Sequence, residues 1–155
     1  MVLNNATRQV DTAIAGQVGA NPHLSTSGSA RVIINEVTGS GRSSLTGITE
    51  VAGDAAETII ANPWGIDCDG CGFINMPAAT LSTGRPLYDS GEFSGLSVER
   101  GDIRVGRGGL DASAIDRINF FARALHLDGA IHANNLTVIS GAARIDNSGA
   151  ESQAS

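Results

Sequence analysis

Apolar residues along the chain come in short runs of β type, separated by glycine, asparagine, proline and serine. The clearest are "RVIINEV" (31–37) and "ETIIANP" (57–63). Further strands are predicted at "LTGITEV" (45–51), "GFINM" (72–76), "ATLST" (79–83), "GLSVERGDIRVG" (95–106) and "NLTVIS" (135–140). Two echoes connect them. Ala30–Ile34 lines up with Ala56–Ile60, and "ALH" (124–126) returns as "AIH" (130–132). Self-similarity at one short unit per roughly twenty-odd residues is the sequence mark of a solenoid. One segment reads differently. In "DASAIDRINFFARALHL" (111–127), Ile115, Ile118, Phe121, Ala122 and Leu125 recur at helical spacing behind Ser113 and Asp116, near to a capping box. Periodicity alone predicts a helix there. The strand alternative turns Ile118, Phe120, Leu125 and Leu127 inward in two runs.

Composition fits the solenoid. Among 155 residues, 41% are hydrophobic but only 4% aromatic, with 20 glycines. Packing must therefore come from Val, Ile, Leu and Ala in thin layers. The length allows one domain with a sizeable core. Residues 1–146 read as that domain; "NSGAESQAS" (147–155) reads as a linker or disordered tail, and "GSGRSS" (39–44) as a loop. Formal net charge is −6, and all ten basic residues are arginine. No basic cluster is available to displace counterions from nucleic acid, so that partner is not expected. No apolar run approaches the roughly 18 residues that cross a bilayer, and membrane insertion is not expected either. The opening "MVLNNATRQV" has neither the basic nor the apolar region of a signal peptide.

Candidate chemistry is sparse. "NPHL" (21–24) and "NPWG" (62–65) are turn starters: proline fixes φ and the asparagine amide bonds nearby backbone. Their plain reading is solenoid corners. Cys68 and Cys71 form a C-x-x-C. A thioredoxin-like dithiol should open a helix after a strand, whereas "GIDCDGCGFIN" is glycine-rich and leads into a strand. Zinc needs two further ligands, and His23, His126 and His132 are not at ligand spacing. A disulfide is the best of the three and calls for an oxidising compartment. Asp67 with Asp69, or Asp111 with Asp116, could supply the carboxylate pair of a carbohydrate-cleaving β-helix enzyme. Aspartates in glycine-rich loops are mostly turn formers, however, and no nucleophile elbow, P-loop or H-E-x-x-H is present. His126 and His132 read as outward neighbours of Leu125, Leu127 and Ile131.

Taken together, "VLNNAT" (2–7), "NPHL" (21–24), "SARVIINEVT" (29–38), "EVAGDAAETIIANPWGIDCDGCGFIN" (50–75), "ATLSTGRP" (79–86) and "GLDASAIDRINFFARAL…IHANNLTVISGA" (109–142) occur in order. This resembles the two-partner secretion domain of filamentous-haemagglutinin-like exoproteins, also called the haemagglutination activity domain. With its CDGC it is similar to the domain in large adhesins and contact-dependent growth-inhibition effectors. The resemblance runs from Val2 to about Asp146. It implies an all-β fold, a right-handed parallel β-helix with extra-helical strands packed on its side, and makes "FFARAL" strand. It implies no catalysis and no cofactor. The implied partner is the periplasmic part of a cognate outer-membrane β-barrel transporter, which would start export of a long exoprotein to the cell surface or medium. Cell-surface receptors would be met through the full-length exoprotein.

Carried onto this chain, the family's "NPNL" falls on Asn21, Pro22, His23 and Leu24, and its "NPNG" on Asn62, Pro63, Trp64 and Gly65. Both departures replace the second asparagine. These residues are the expected recognition or structural corners, with Cys68 and Cys71 as the expected staple of the adjoining loop. Family domains begin upstream of the point matching Met1, so the chain is expected to lack the usual signal peptide and N-terminal cap. Two rivals stay open: a surface adhesion module and a polysaccharide-active β-helix enzyme.

Overall fold

The computed structural model describes residues 2–5, 10–12, 16–18, 32–37, 40–90, 92–141, 143–146 and 151–153. Strands are numbered along the chain, β1 to β18, and the described residues contain no helix. Five strands stack in parallel as one sheet: β4 (Val32–Glu36), β6 (Glu57–Ala61), β8 (Ala78–Ser82), β13 (Arg117–Ala122) and β16 (Leu136–Ser140). A second parallel sheet alternates with it along the chain: β1 (Val2–Asn5), β5 (Ser43–Gly53), β7 (Ile66–Ile74), β11 (Asp102–Val105) and β14 (Ala124–Leu127), with β12 (Leu110–Ala112) and β15 (Ile131–Ala133) as a side branch. Each turn of chain thus lays one strand on each sheet beside the strand from the turn before. That is a parallel β-helix.

The second sheet is bent, which gives the coil three sides. β5 and β7 run through the bend, and their register shifts between Leu45 and Gly47. β7 turns at Asp69-Gly70, where Gly70 has φ +71°, a value that favours glycine. In the next turns the chain breaks at the same place, splitting into β11 with β12 and β14 with β15. Hydrogen bonding continues through the bend, Gly70 N–H to Gly109 O and Leu110 N–H to Ala130 O.

Inside the coil, like stacks on like. Ile60, Leu81, Phe120 and Val138 form one column through successive registers, and Ile66 stacks on Ile103, which stacks on Leu125. Phe73, Phe120, Leu81 and Ile118 are fully buried. At the outer face of the last turn, Leu127, Leu136 and Val138 are about half exposed, and among the described residues no strand pairs beyond β14 or β16. Asparagines tie the corners. The Asn75 amide donates to Val51 O and Gly53 O of the previous turn, and Asn134 donates to Ser113 O and Ile115 O in the same way. These carbonyls sit where the chain leaves a strand, and without the amides they would lack partners.

The chain leaves the coil between β8 and β11 to form an antiparallel sheet, β18 (Glu151–Gln153), β17 (Ala143–Asp146), β10 (Glu92–Val98) and β9 (Arg85–Asp89) in spatial order. It covers the outer face of the five-stranded sheet. Leu96, Val98 and Ile145 pack there against Ile59, Ala61 and Phe121 in a second hydrophobic core. A separate hairpin, β2 (Val10–Thr12) with β3 (Gly16–Val18), completes the strands.

This second core explains why periodicity misleads over 111–127. A strand covered on both faces loses the alternation that marks a half-buried one. Phe120 faces the coil and Phe121 the side sheet, so two adjacent aromatics are both buried. The helix read from spacing is β12, a turn, β13 and β14, and Ser113 caps nothing: its N–H and Oγ–H donate to Asp111 Oδ1. The echo of Ala30–Ile34 in Ala56–Ile60 marks a real stack at a register one residue away, since Ile34 rather than Ile33 pairs with Ile59. The "ALH" and "AIH" echo joins two segments of the same turn, not two stacked turns. The run 95–106 divides into β10 and β11, and the tail expected at 147–155 contains β18.

Candidate functional site

The corner "NPWG" carries the chain from β6 to β7. Asn62 is 1% exposed, and each polar atom of its side chain is used. Its Nδ2 donates to Gly41 O and to Ser43 Oγ of the previous turn, both at 2.9 Å, while Oδ1 accepts from Trp64 N–H at 2.9 Å. The Gly65 N–H returns to Asn62 O. Gly65 has φ +124°, and a Cβ there would lie 2.8 Å from Asp102 O and run into the Arg42 guanidinium. Asparagine and glycine at these positions are thus accounted for by the turn itself.

Arg42 is the post against which the corner rests. Its Nε and Nη2 fork onto the two oxygens of Asp67, at 2.9 and 2.8 Å, and Nη1 reaches Asp102 Oδ1 at 2.6 Å. Arg104 Nε holds the other oxygen of Asp102 at 2.8 Å. The ion ladder therefore links three successive turns outside the coil. The hydrogen bond from Arg42 holds the Asp67 carboxyl below the ordinary carboxylate range. At Asp102 burial pushes upward, but the bonds from Arg42 and Arg104 outweigh it and its pKa is also lowered. Nothing in "GSGRSS" distinguishes this arginine from a loop residue; its role appears only once the turns stack.

Trp64 is the member of the motif that faces outward, 45% exposed. Arg100 lies on its ring, with Cζ 5.1 Å from the centroid. Beside the ring a cleft opens between the corner and the side sheet, lined by Pro63, Thr83, Arg85, Ser97, Glu99 and Arg100. Thr83 and Arg100 are residues that sequence reasoning did not single out.

The remaining candidates are placed plainly. Cys68 and Cys71 are joined in a disulfide across the bend inside β7, both buried against the coil interior, with Cα atoms 5.5 Å apart. They staple a bent strand and not the loop expected beside it, because the glycine between them bends the strand without ending it. Asp67 is held by Arg42, Asp69 accepts the Gly108 N–H, and Asp111 is engaged by Ser113. His126 and His132 face outward and are exposed. Among the described residues no cluster of three or more His, Cys, Asp or Glu could hold a metal ion. Asn21, Pro22, His23 and Leu24 lie outside the described residues.

A three-sided parallel coil, a side sheet sealing one face and a hydrogen-bonded corner presenting one aromatic ring define a β-helical module. The TPS secretion domain family model matches residues 1–155, and the chain belongs to that family. Over 147 residues, 94% of this chain, it is 50% identical to the tRNA nuclease CdiA of Escherichia coli O6:K15:H31 (strain 536 / UPEC), of which it covers 4%. It is 46% identical over the same share to the 16S rRNA endonuclease CdiA of Enterobacter cloacae subsp. cloacae, again covering 4%. The chain thus spans a small fraction of these relatives' length. The crystal structure of a filamentous hemagglutinin secretion domain superposes with a TM-score of 0.93 at 34% identity, over 99% of this chain and 53% of that one. The chain is a secretion-targeting domain of the two-partner type, the kind carried by large exoproteins. Such exoproteins leave the cell through the outer membrane with the help of a cognate transporter there.

Proposed function

We propose that the domain docks on the periplasmic domains of that transporter, and that Trp64 with Pro63 forms part of the docking surface. The observation that carries this reading is the division of labour in "NPWG". Asn62 and Gly65 are consumed by the turn, whereas the one large side chain of the motif is left 45% exposed on it. A rigidly held aromatic ring with an apolar body suits an interface anchor. Asn62 and Gly65 are then positioning residues, and Asn21, Pro22 and Leu24 would shape a second corner. Cys68–Cys71 serves folding in the oxidising periplasm. The domain acts by binding, without catalysis, a reading supported by the structural engagement of Asp67, Asp69 and Asp111. The activity of the exoprotein it launches, whether adhesion or toxin delivery to other cells, belongs to segments other than this domain.

The test compares Trp64→Ala with wild type for binding to the purified periplasmic domains and for export in a two-partner secretion assay. Removing an exposed anchor should weaken binding about tenfold or more and reduce export, with the melting temperature within about 2 °C. Undiminished binding would remove Trp64 from the interface.

A further inference from the structure

We infer that the cleft beside Trp64 is a carboxylate site, taking an acidic side chain on an extended peptide segment of the transporter; the partner's identity rests on the docking reading above.

Charge is the first argument. Arg85 and Arg100 both line the cleft and are exposed, and neither has an ion-pair partner among the described residues, in contrast to Arg42 and Arg104. Glu99 is the cleft's single anion. The cleft is therefore net cationic on a chain whose formal charge is −6. Two guanidinium groups around one opening suit a planar carboxylate, which accepts charge-assisted hydrogen bonds from each.

The second argument is independent. Thr83 lines the same cleft and is 1% exposed, and its Oγ1 is a buried side-chain atom with no hydrogen-bond partner among the described residues. Leaving a buried hydroxyl unpaired costs about 1–3 kcal/mol, and native structures rarely tolerate it without cause. A carboxylate seated between Arg85 and Arg100 would supply the acceptor this hydroxyl lacks.

A peptide fits better than an acidic sugar. One face of the Trp64 ring is already taken by the Arg100 guanidinium, which leaves less of it to stack on a sugar. Arg85, moreover, lies on β9, an edge strand of the side sheet among the described residues, so a chain entering the cleft passes backbone groups that no described strand pairs.

The experiment follows the Trp64 indole and the Arg85 and Arg100 side-chain N–H signals by NMR in the 155-residue chain. Three probes are titrated: a blocked Val-Thr-Glu-Thr-Val peptide, its glutamine counterpart, and sodium glucuronate. The glutamate peptide should give saturable shifts at all three residues, with the glutamine peptide about tenfold weaker, as expected for loss of a charged partner at a half-solvated site. Arg85→Gln combined with Arg100→Gln should abolish the shifts, and Arg107→Gln should leave them intact. Thr83→Val should weaken the peptide without lowering the melting temperature, because it deletes an unpaired hydroxyl and keeps the shape. Equal affinity for the glutamate and glutamine peptides overturns the carboxylate site. Tighter binding of glucuronate than of peptide overturns the choice of ligand. Transporter binding that survives the double arginine substitution overturns the cleft's part in docking while leaving the docking reading in place. Peptide binding by a chain that ignores the transporter overturns the transporter as its source.

Discussion

Replacing Asn62 by alanine separates a structural corner from a contact residue. The substitution deletes two donors and one acceptor from a side chain that is 1% exposed. It strands the Gly41 carbonyl, the Ser43 hydroxyl and the Trp64 N–H, each bonded at 2.9 Å in the native corner. Three hydrogen bonds at a net value near 1 kcal/mol each give a loss of about 2–4 kcal/mol. For a domain of this length that corresponds to a fall in melting temperature of roughly 6–12 °C. Asn62→Asp should be nearly as damaging. It keeps the acceptor for Trp64 N–H but turns a carboxylate oxygen toward the Gly41 carbonyl. Thermal unfolding followed by circular dichroism at 218 nm, as appropriate for a β-rich fold (about 215–220 nm), measures both, alongside binding to the transporter's periplasmic domains at a temperature where each variant is folded. A melting point within about 2 °C of wild type, with binding lost, would refute the reasoning and make Asn62 itself a contact.

Three further outcomes follow from the same structure. Phe120→Ala empties a layer between Leu81 and Val138 and should cost about 3–5 kcal/mol, read from urea unfolding. Asp67 and Asp102 both have folded pKa values below their unfolded ones. Their contribution is therefore complete above the ordinary carboxylate range and is lost as pH falls through the lowered values. Melting temperature should drop on acidification below about pH 4, and Arg42→Met should flatten that drop. Reducing Cys68–Cys71, or replacing both cysteines by serine, should cost about 2 kcal/mol on loop entropy for so short a loop, measured with and without reductant.

The repeated strands and the turn chemistry of "NPWG" were legible because each depends on neighbours in sequence. The glycine-proline-asparagine punctuation says where a strand stops, and the aliphatic runs say what fills the coil. Arg42 was not legible, since its partners Asp67 and Asp102 meet it only across stacked turns. The same holds for the orphaned Thr83 hydroxyl and for Arg100 on Trp64, both of which depend on where the side sheet settles. Phe121 was misread for a related reason. Its burial comes from Leu96, Val98 and Ile145, residues on strands that lie outside the coil, and no local pattern announces them.

The side sheet also changes how the coil should come apart. A bare solenoid holds each turn only to its neighbours, so turns can fray one at a time from either end. Here Ile145 near the end of the chain packs on Ile59 and Phe121, while β17 pairs with β10, which leaves the coil in its middle. Contacts of such long sequence separation couple early turns to the last strands. Unfolding should therefore be cooperative over the whole domain, with one transition where a bare coil would melt turn by turn.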